Sequence, residues 1–244
     1  MATLLLDNAW QPLLDLLRGK YWGYYQLPGN VGDQLIAKGT FSLLERNKIK
    51  FGIWSEPYDF DGLLISGGGN IGRYYQSIYQ LRTSLLDNAH KLRKQVIILP
   101  QSVIPGGEKE VFSDNVTLFC RELTSMKGYE NSIFCPDLAL ACETVVGHHR
   151  SGRLVALRRD RESIFCPHSF EDPITFTDDA DDYVRFASCY SEIVTDRLHF
   201  AVAGLLGGCR VVLLPNSYFK NRSMWESSLG FLGCGWSDFI PGMV

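Results

Sequence analysis

Three things are missing from this sequence. No apolar run reaches the ~18 residues a membrane-spanning helix needs. The longest candidate, 198–214, is interrupted by His199 and Arg210 and ends before Pro215. There is no basic excess: 24 Lys+Arg stand against 27 Asp+Glu, a net charge of −3, so nucleic-acid binding across the whole surface is not expected. There is no C-x-x-C pair either. The seven cysteines (Cys120, Cys135, Cys142, Cys166, Cys189, Cys209 and Cys234) are odd in number, and most sit in apolar settings such as LFCREL and SIFCPDL. They read as small buried hydrophobes in a reducing compartment rather than a disulfide framework or a metal site. The opening stretch, MATLLLDNAWQPLLDLL, lacks a basic n-region and is broken by Asp7, unlike a secretory signal. The expected location is cytoplasmic, or peripheral to a membrane through the substrate, with no integral membrane segment.

What is present describes an ordinary globular chain. It has 244 residues, 45% hydrophobic and 21% charged, enough for one or two domains. DGLLISGGG, KQVIILPQS, RLVALRRD, SEIVTD and CRVVLLP are short, often β-branched runs bounded by turn formers, the pattern of strands buried on both faces. Helical spacing spans Gly32 to Asn47, Arg73 to Lys94 and Phe200 to Leu206. This alternation predicts an α/β fold with parallel sheets. A polar, glycine-containing stretch at 143–152 suggests two Rossmann-like domains facing across a cleft, residues 1–145 and 146–244. The stretch HSFEDPITFTDDADD, with five aspartates, reads as a solvated connection, and His148-His149 as surface. The aromatic segment from Lys220 onward, with Trp225, Phe231, Trp236 and Phe239, is expected to pack back on the first domain or on another subunit.

Four segments can carry chemistry. Pro28 to Ile36 places Gly29, Asn30, Gly32 and Asp33 at the start of a predicted helix, a capped turn or an anion site. Ile65 to Gly72 sets Gly67, Gly68, Gly69 and Asn70 after a strand, the strand–turn–helix arrangement of phosphate or sugar sites. It lacks the G-K-[ST] of a P-loop, and as a dinucleotide fingerprint it lacks the acidic ribose ligand. Arg158, Arg159 and Arg161 follow a strand and suit a phosphate or carboxylate, although Asp160 and Glu162 could pair with them instead. Thr195 to His199 crowds Asp196, Arg197 and His199 where a strand passes into an apolar helix. Cations at a helix start oppose its dipole, and a bound polyanion would relieve that.

Taken in order, these motifs resemble the polysaccharide pyruvyl transferase family: Gly29–Ile36, Ile65–Asn70, Ile98–Ser102, Cys135–Leu138, Arg158–Glu162, Thr195–His199 and Pro215-Asn216. The resemblance implies a GT-B-like fold, with the acceptor on the N-terminal domain and the donor on the C-terminal one. It also implies transfer of pyruvate from phosphoenolpyruvate to sugar hydroxyls as a ketal, with phosphate released. His199 and Asp33 become the expected catalytic groups. Arg197, Leu198, Arg158 and Arg159 become donor contacts. Asn30, Gly68, Gly69, Asn70, Gln101 and Ser102 become acceptor or backbone-loop positions. No cofactor or metal is expected beyond phosphoenolpyruvate as co-substrate, and the partner is a sugar or glycan acceptor, including a lipid-linked one. A nucleotide-sugar glycosyltransferase and a non-catalytic sugar-phosphate binder are the competing readings.

Overall fold

The computed structural model describes residues 3–73, 75–103, 109–145, 150–165 and 170–242. They form two compact units, one of residues 7–28 and 40–138, the other of 1–6, 29–39 and 139–244. The sequence places the changeover at 145. The units change over at 138, and the second also takes in 29–39.

The first unit carries a sheet with seven strands among the described residues. They are β1 (Tyr21–Tyr25), β2 (Lys50–Ile53), β3 (Gly62–Ile65), β4 (Gly68–Ile71), β5 (Gln95–Val103), β6 (Val116–Cys120) and β7 (Ile133–Phe134). All pairs are parallel, in the order β2-β1-β3-β5-β6-β7, with β4 also beside β5. Helices α1 (Gln11–Leu17), α3 (Gln76–Lys91) and α4 (Leu123–Met126) belong to this unit, while α2 (Val31–Arg46) starts in the other. The sheet centre is dry because parallel strands need covering on both faces. Leu63, Leu64, Ile65, Val96, Ile97, Ile98 and Leu99 are all completely buried, at about 1.5–3 kcal/mol per side chain of that size.

One sequence expectation is corrected here. The glycine triplet does not turn directly into a helix. Gly68 and Gly69 lie in β4, hydrogen-bonded along β5, and α3 starts only at Gln76. A glycine-rich strand carries no side-chain pattern, so only the ladder reveals it.

The carboxyl-terminal parts of β4 and β5 enter a buried polar network. Gln101 Nε2 donates to the Ser66 carbonyl, and Gln101 Oε1 accepts from the Asn70 N–H. Arg82 donates to Asn70 and pairs with Glu110, whose carboxylate also accepts the Gly72 N–H. Arg121 reaches Asp137 at 2.5 Å and Ser102 at 2.8 Å. Glu122 is wholly buried, takes a hydrogen bond from Ser125, and leaves Oε2 without a hydrogen-bond partner. Burial pushes its carboxyl up to about 7, against the lowering effects of Arg121, Ser125 and Ser102. The folded protein therefore keeps a proton that the unfolded chain releases near pH 4.5, so this group makes stability fall as pH rises from about 4.5 to about 7. Glu122→Gln should flatten that fall and raise the melting temperature at pH 8, worth roughly 1–3 kcal/mol. Thermal unfolding of both proteins between pH 5 and pH 8 measures it. Parallel curves would show that the acid is already ionised in the fold.

The second unit has a parallel sheet of four strands, β8 (Arg153–Ala156), β9 (Glu192–Thr195), β10 (Arg210–Leu213) and β11 (Gly235–Trp236), in the order β11-β10-β9-β8. Its helices are α5 (Ala180–Ser188), α6 (Leu198–Leu206) and α7 (Lys220–Met224). The acidic stretch read as a solvated connection contains the start of α5. Asp179 caps it by accepting the N–H groups of Asp181 and Asp182, and those two acids favour its positive end. Helix α6 lies close on the sheet. A Cβ on Gly204 would stand 2.8 Å from the Val211 side chain and 3.1 Å from that of Ile193. The C-terminal aromatic stretch supplies the edge strand β11, and the Arg222 guanidinium sits 4.9 Å from the Trp225 ring and 5.0 Å from the Trp236 ring.

Among the described residues, six cysteines are free thiols, all buried except Cys189. Cys166, Pro167 and His148-His149 lie outside the described residues. No described helix is long and apolar enough to cross a membrane.

Candidate functional site

In the second unit, the loops that follow β8, β9 and β10 meet at the carboxyl ends of the strands, where open parallel sheets place their ligands. The Asp196 carboxylate, just past β9, accepts the backbone N–H of Arg158, just past β8, at 2.8 Å. Asn221, past β10, donates to the carbonyls of Asp196 and Leu214. The Ser217 N–H donates to the Glu162 carbonyl. Three loops separated in sequence are thereby held as one rim.

The arginines in this rim are not open cations. Arg158 is 4% exposed. Its Nε and Nη2 contact the two Asp160 oxygens at 2.8 and 3.1 Å, and its Nη1 meets Glu162 at 2.6 Å. Arg197 is 7% exposed. It forks onto Asp172 through Nε and Nη2 at 2.9 and 2.5 Å and reaches Asp160 through Nη1 at 2.9 Å. Lys220, also buried, lies 2.6 Å from Glu162. Three buried cations thus face three carboxylates, with geometry that offsets the cost of burying them. Arg159 stays exposed: its N–H goes to Asp172 and its guanidinium to the Phe170 carbonyl. Burial raises the Asp160 carboxyl, but the Arg158 hydrogen bond and the charges of Arg197 and Arg158 outweigh it and hold the group down at about 2. Asp196 goes the other way. Burial pushes it up to about 6 despite the Arg158 N–H and both arginines, and its Oδ2 has no hydrogen-bond partner.

Two helix starts meet beside this rim. Asn30 caps α2: its Oδ1 accepts the Gly32 N–H at 2.8 Å, while Asp33 reaches back to the Asn30 N–H at 2.8 Å. This reciprocal arrangement is a capping box. Asp33 therefore spends one oxygen on its own helix while remaining partly exposed. His199 is the second residue of α6, partly exposed, and lies on the second residue of α2. A Cβ on Gly32 would stand 2.6 Å from His199 Nδ1, 2.9 Å from its Cβ and 3.0 Å from Asn30 Oδ1. The histidine thus occupies space that any side chain at position 32 would fill. Helix α6 begins at Arg197 with no side-chain cap, so both helices aim positive ends at this corner.

Asn30, Asp33, Arg158, Arg159, Arg197, Leu198 and His199 all belong to the second unit; Gly68, Gly69, Asn70, Gln101 and Ser102 belong to the first. Gln101 and Ser102 are completely buried and use their polar atoms on protein partners. The sequence did not single out Asp172 or Lys220. Asp172 was hidden in a stretch read as solvated, yet it is 3% exposed. The signal for it was available: an arginine starting an apolar helix needs a carboxylate, and 171–182 is the acidic stretch preceding that strand.

The chain is thus a Rossmann-like α/β protein with a polar site at the carboxyl ends of parallel strands. The model of the family described as polysaccharide pyruvyl transferase matches residues 30–218, and the chain belongs to that family, which makes it a transferase acting on polysaccharide. Among solved structures, a functionally uncharacterised protein from Klebsiella pneumoniae subsp. pneumoniae NTUH-K2044 is 22% identical, with a TM-score of 0.74 over 98% of this chain and 100% of that one. At that identity the likeness concerns the fold alone. No curated protein matches the chain significantly.

Proposed function

We propose that the protein transfers the pyruvyl group of phosphoenolpyruvate to two hydroxyls of a sugar, forming a cyclic ketal and releasing phosphate. The observation that carries this reading is the meeting of two helix starts at His199, in a family member whose neighbouring loops are built on arginine and carboxylate. Phosphoenolpyruvate bears a carboxylate and a phosphate, and helix starts favour anions. His199 donates a proton to the methylene carbon, C3, and cationic character develops at C2. One sugar hydroxyl attacks C2 and gives its proton to Asp33, whose capping contact fixes its position. A second hydroxyl then attacks C2, the C2–O bond to phosphate breaks, and the departing phosphate carries away the second proton. Leu198 and the arginines at 158, 159 and 197 line the donor side. The setting is cytoplasmic biosynthesis of an exported glycan.

A donor screen tests the reading. Phosphoenolpyruvate, and not a nucleoside diphosphate, should raise the melting temperature. Proton NMR of the product should show a ketal methyl singlet. Stabilisation by the nucleotide alone, with no phosphate released from phosphoenolpyruvate, would replace this reading with a glycosyltransferase.

Gly32→Ala gives a finer test. Position 32 lies in a helix and has no positive φ, so alanine suits its backbone. Its methyl group would still displace His199. We expect turnover to fall about 100-fold, the scale of a 1 Å misplacement, with the protein still folded but its melting temperature lowered, because the methyl also meets the His199 Cβ. Full turnover would show that His199 tolerates movement.

A further inference from the structure

Of the carboxylates that hold Arg158 and Arg197, Glu162 and Asp172 are buried, and only Asp160 faces solvent, with 41% of its side chain exposed. It touches both arginines at once: Oδ1 and Oδ2 on Arg158, and Oδ2 also on Arg197. The arginine side chains themselves are 5% and 8% exposed. An anion arriving from solvent and seeking both guanidiniums therefore meets the Asp160 carboxylate already in the seat. Glu162 and Asp172 cannot yield in the same way, because each would have to leave a buried position.

We propose that Asp160 sets the donor affinity of this site. Its carboxylate occupies the anion seat between Arg158 and Arg197, and the phosphate or carboxylate of the donor binds there by exchanging with it. This rests on the donor reading given above. The exchange needs no covalent step: Asp160 turns outward into water, where a carboxylate is well solvated, and the ligand anion takes over its hydrogen bonds. Acidification within the physiological range does not empty the seat, since the two arginines keep Asp160 ionised. Affinity is thereby held below what two arginines could give, which favours release of the product phosphate. A residue serving only to stiffen the loop would have the opposite signature, because its loss would loosen the arginines and weaken binding.

Calorimetry with inorganic phosphate and with phosphoenolpyruvate separates the two. In Asp160→Asn the dissociation constants should fall about tenfold, the scale expected when a competing charge is removed. In Asp182→Asn, which removes an equal charge from the exposed face of α5, they should not change. Unchanged or weaker binding in Asp160→Asn, an equal gain in Asp182→Asn, or no phosphate binding in any form would overturn the proposal. Asp160→Ser replaces the asparagine variant under the same criteria if the latter fails to fold. Tighter phosphate binding with no ketal from the wild-type protein keeps the seat and removes the pyruvyl reading. Ketal formation with an unchanged dissociation constant in Asp160→Asn does the reverse.

Discussion

His199→Gln should lower ketal-forming turnover by about 10²–10⁴-fold, the range for losing a positioned acid–base group, while the protein keeps its melting temperature to within a few degrees. The second half of that expectation comes from the position of the side chain. His199 is partly exposed at the start of α6, so its replacement opens no core cavity. The imidazole rests against backbone at Gly32, and glutamine can occupy that space without reaching the same point with a proton. Phosphate release from phosphoenolpyruvate in the presence of acceptor measures the first half, and thermal unfolding the second. Wild-type turnover in the variant would remove His199 from the chemistry.

The largest loss of stability is expected in the other unit. Asp137→Ala should destabilise the fold by about 3–5 kcal/mol, because it takes the carboxylate away from a buried guanidinium. Both Arg121 and Asp137 are 1% exposed, and they meet at 2.5 Å. The double replacement Arg121→Met with Asp137→Leu should recover much of the loss, since it removes the charge along with its partner. Urea unfolding of the single and double variants decides the matter. A loss below about 1 kcal/mol in Asp137→Ala would mean that water or another group takes over the arginine.

The strands at 62–65, 95–103, 153–156, 192–195 and 210–213 could be read from sequence because each carries a short apolar run; burial on both faces holds for 62–65 and the centre of 95–103, while in 153–156 only Ala156 is buried. The chain at 21–25, YWGYY, and at 116–120, VTLFC, was passed over. The first has a glycine at its centre, and the second alternates too little to stand out. Gly68 to Ile71 was misread for a deeper reason: β4 exists through its backbone pairing with β5, and nothing in the side chains announces that pairing. The site divides along similar lines. The convergence of Arg158, Arg197 and Asp196 follows from two adjacent parallel strands, β8 and β9, ending together, which their patterns predicted. Arg158 pairs with Asp160 and Glu162, the alternative legible within its own segment, but the partner of Arg197 did not follow, since Asp172 lies 25 residues before it in sequence and yet forks onto it. Asp33 illustrates a third case. Both of its readings, cap and site residue, were legible, and the structure shows the cap.

The segment 29–39 belongs to the same compact unit as 139–244, and that has a consequence for how the protein is made. When translation has reached residue 138, all seven described strands of the first sheet have been synthesised, but the early loop carrying Asn30 and Asp33 has only residues 1–6 of its own unit to settle against. It must wait on the ribosome for residues 139–244, roughly 5–20 s at ordinary elongation rates. Chaperone dependence and proteolytic nicking of nascent chains should therefore concentrate at this early loop, and a stalled ribosome would leave a half-finished enzyme with its sheet built and its site unassembled.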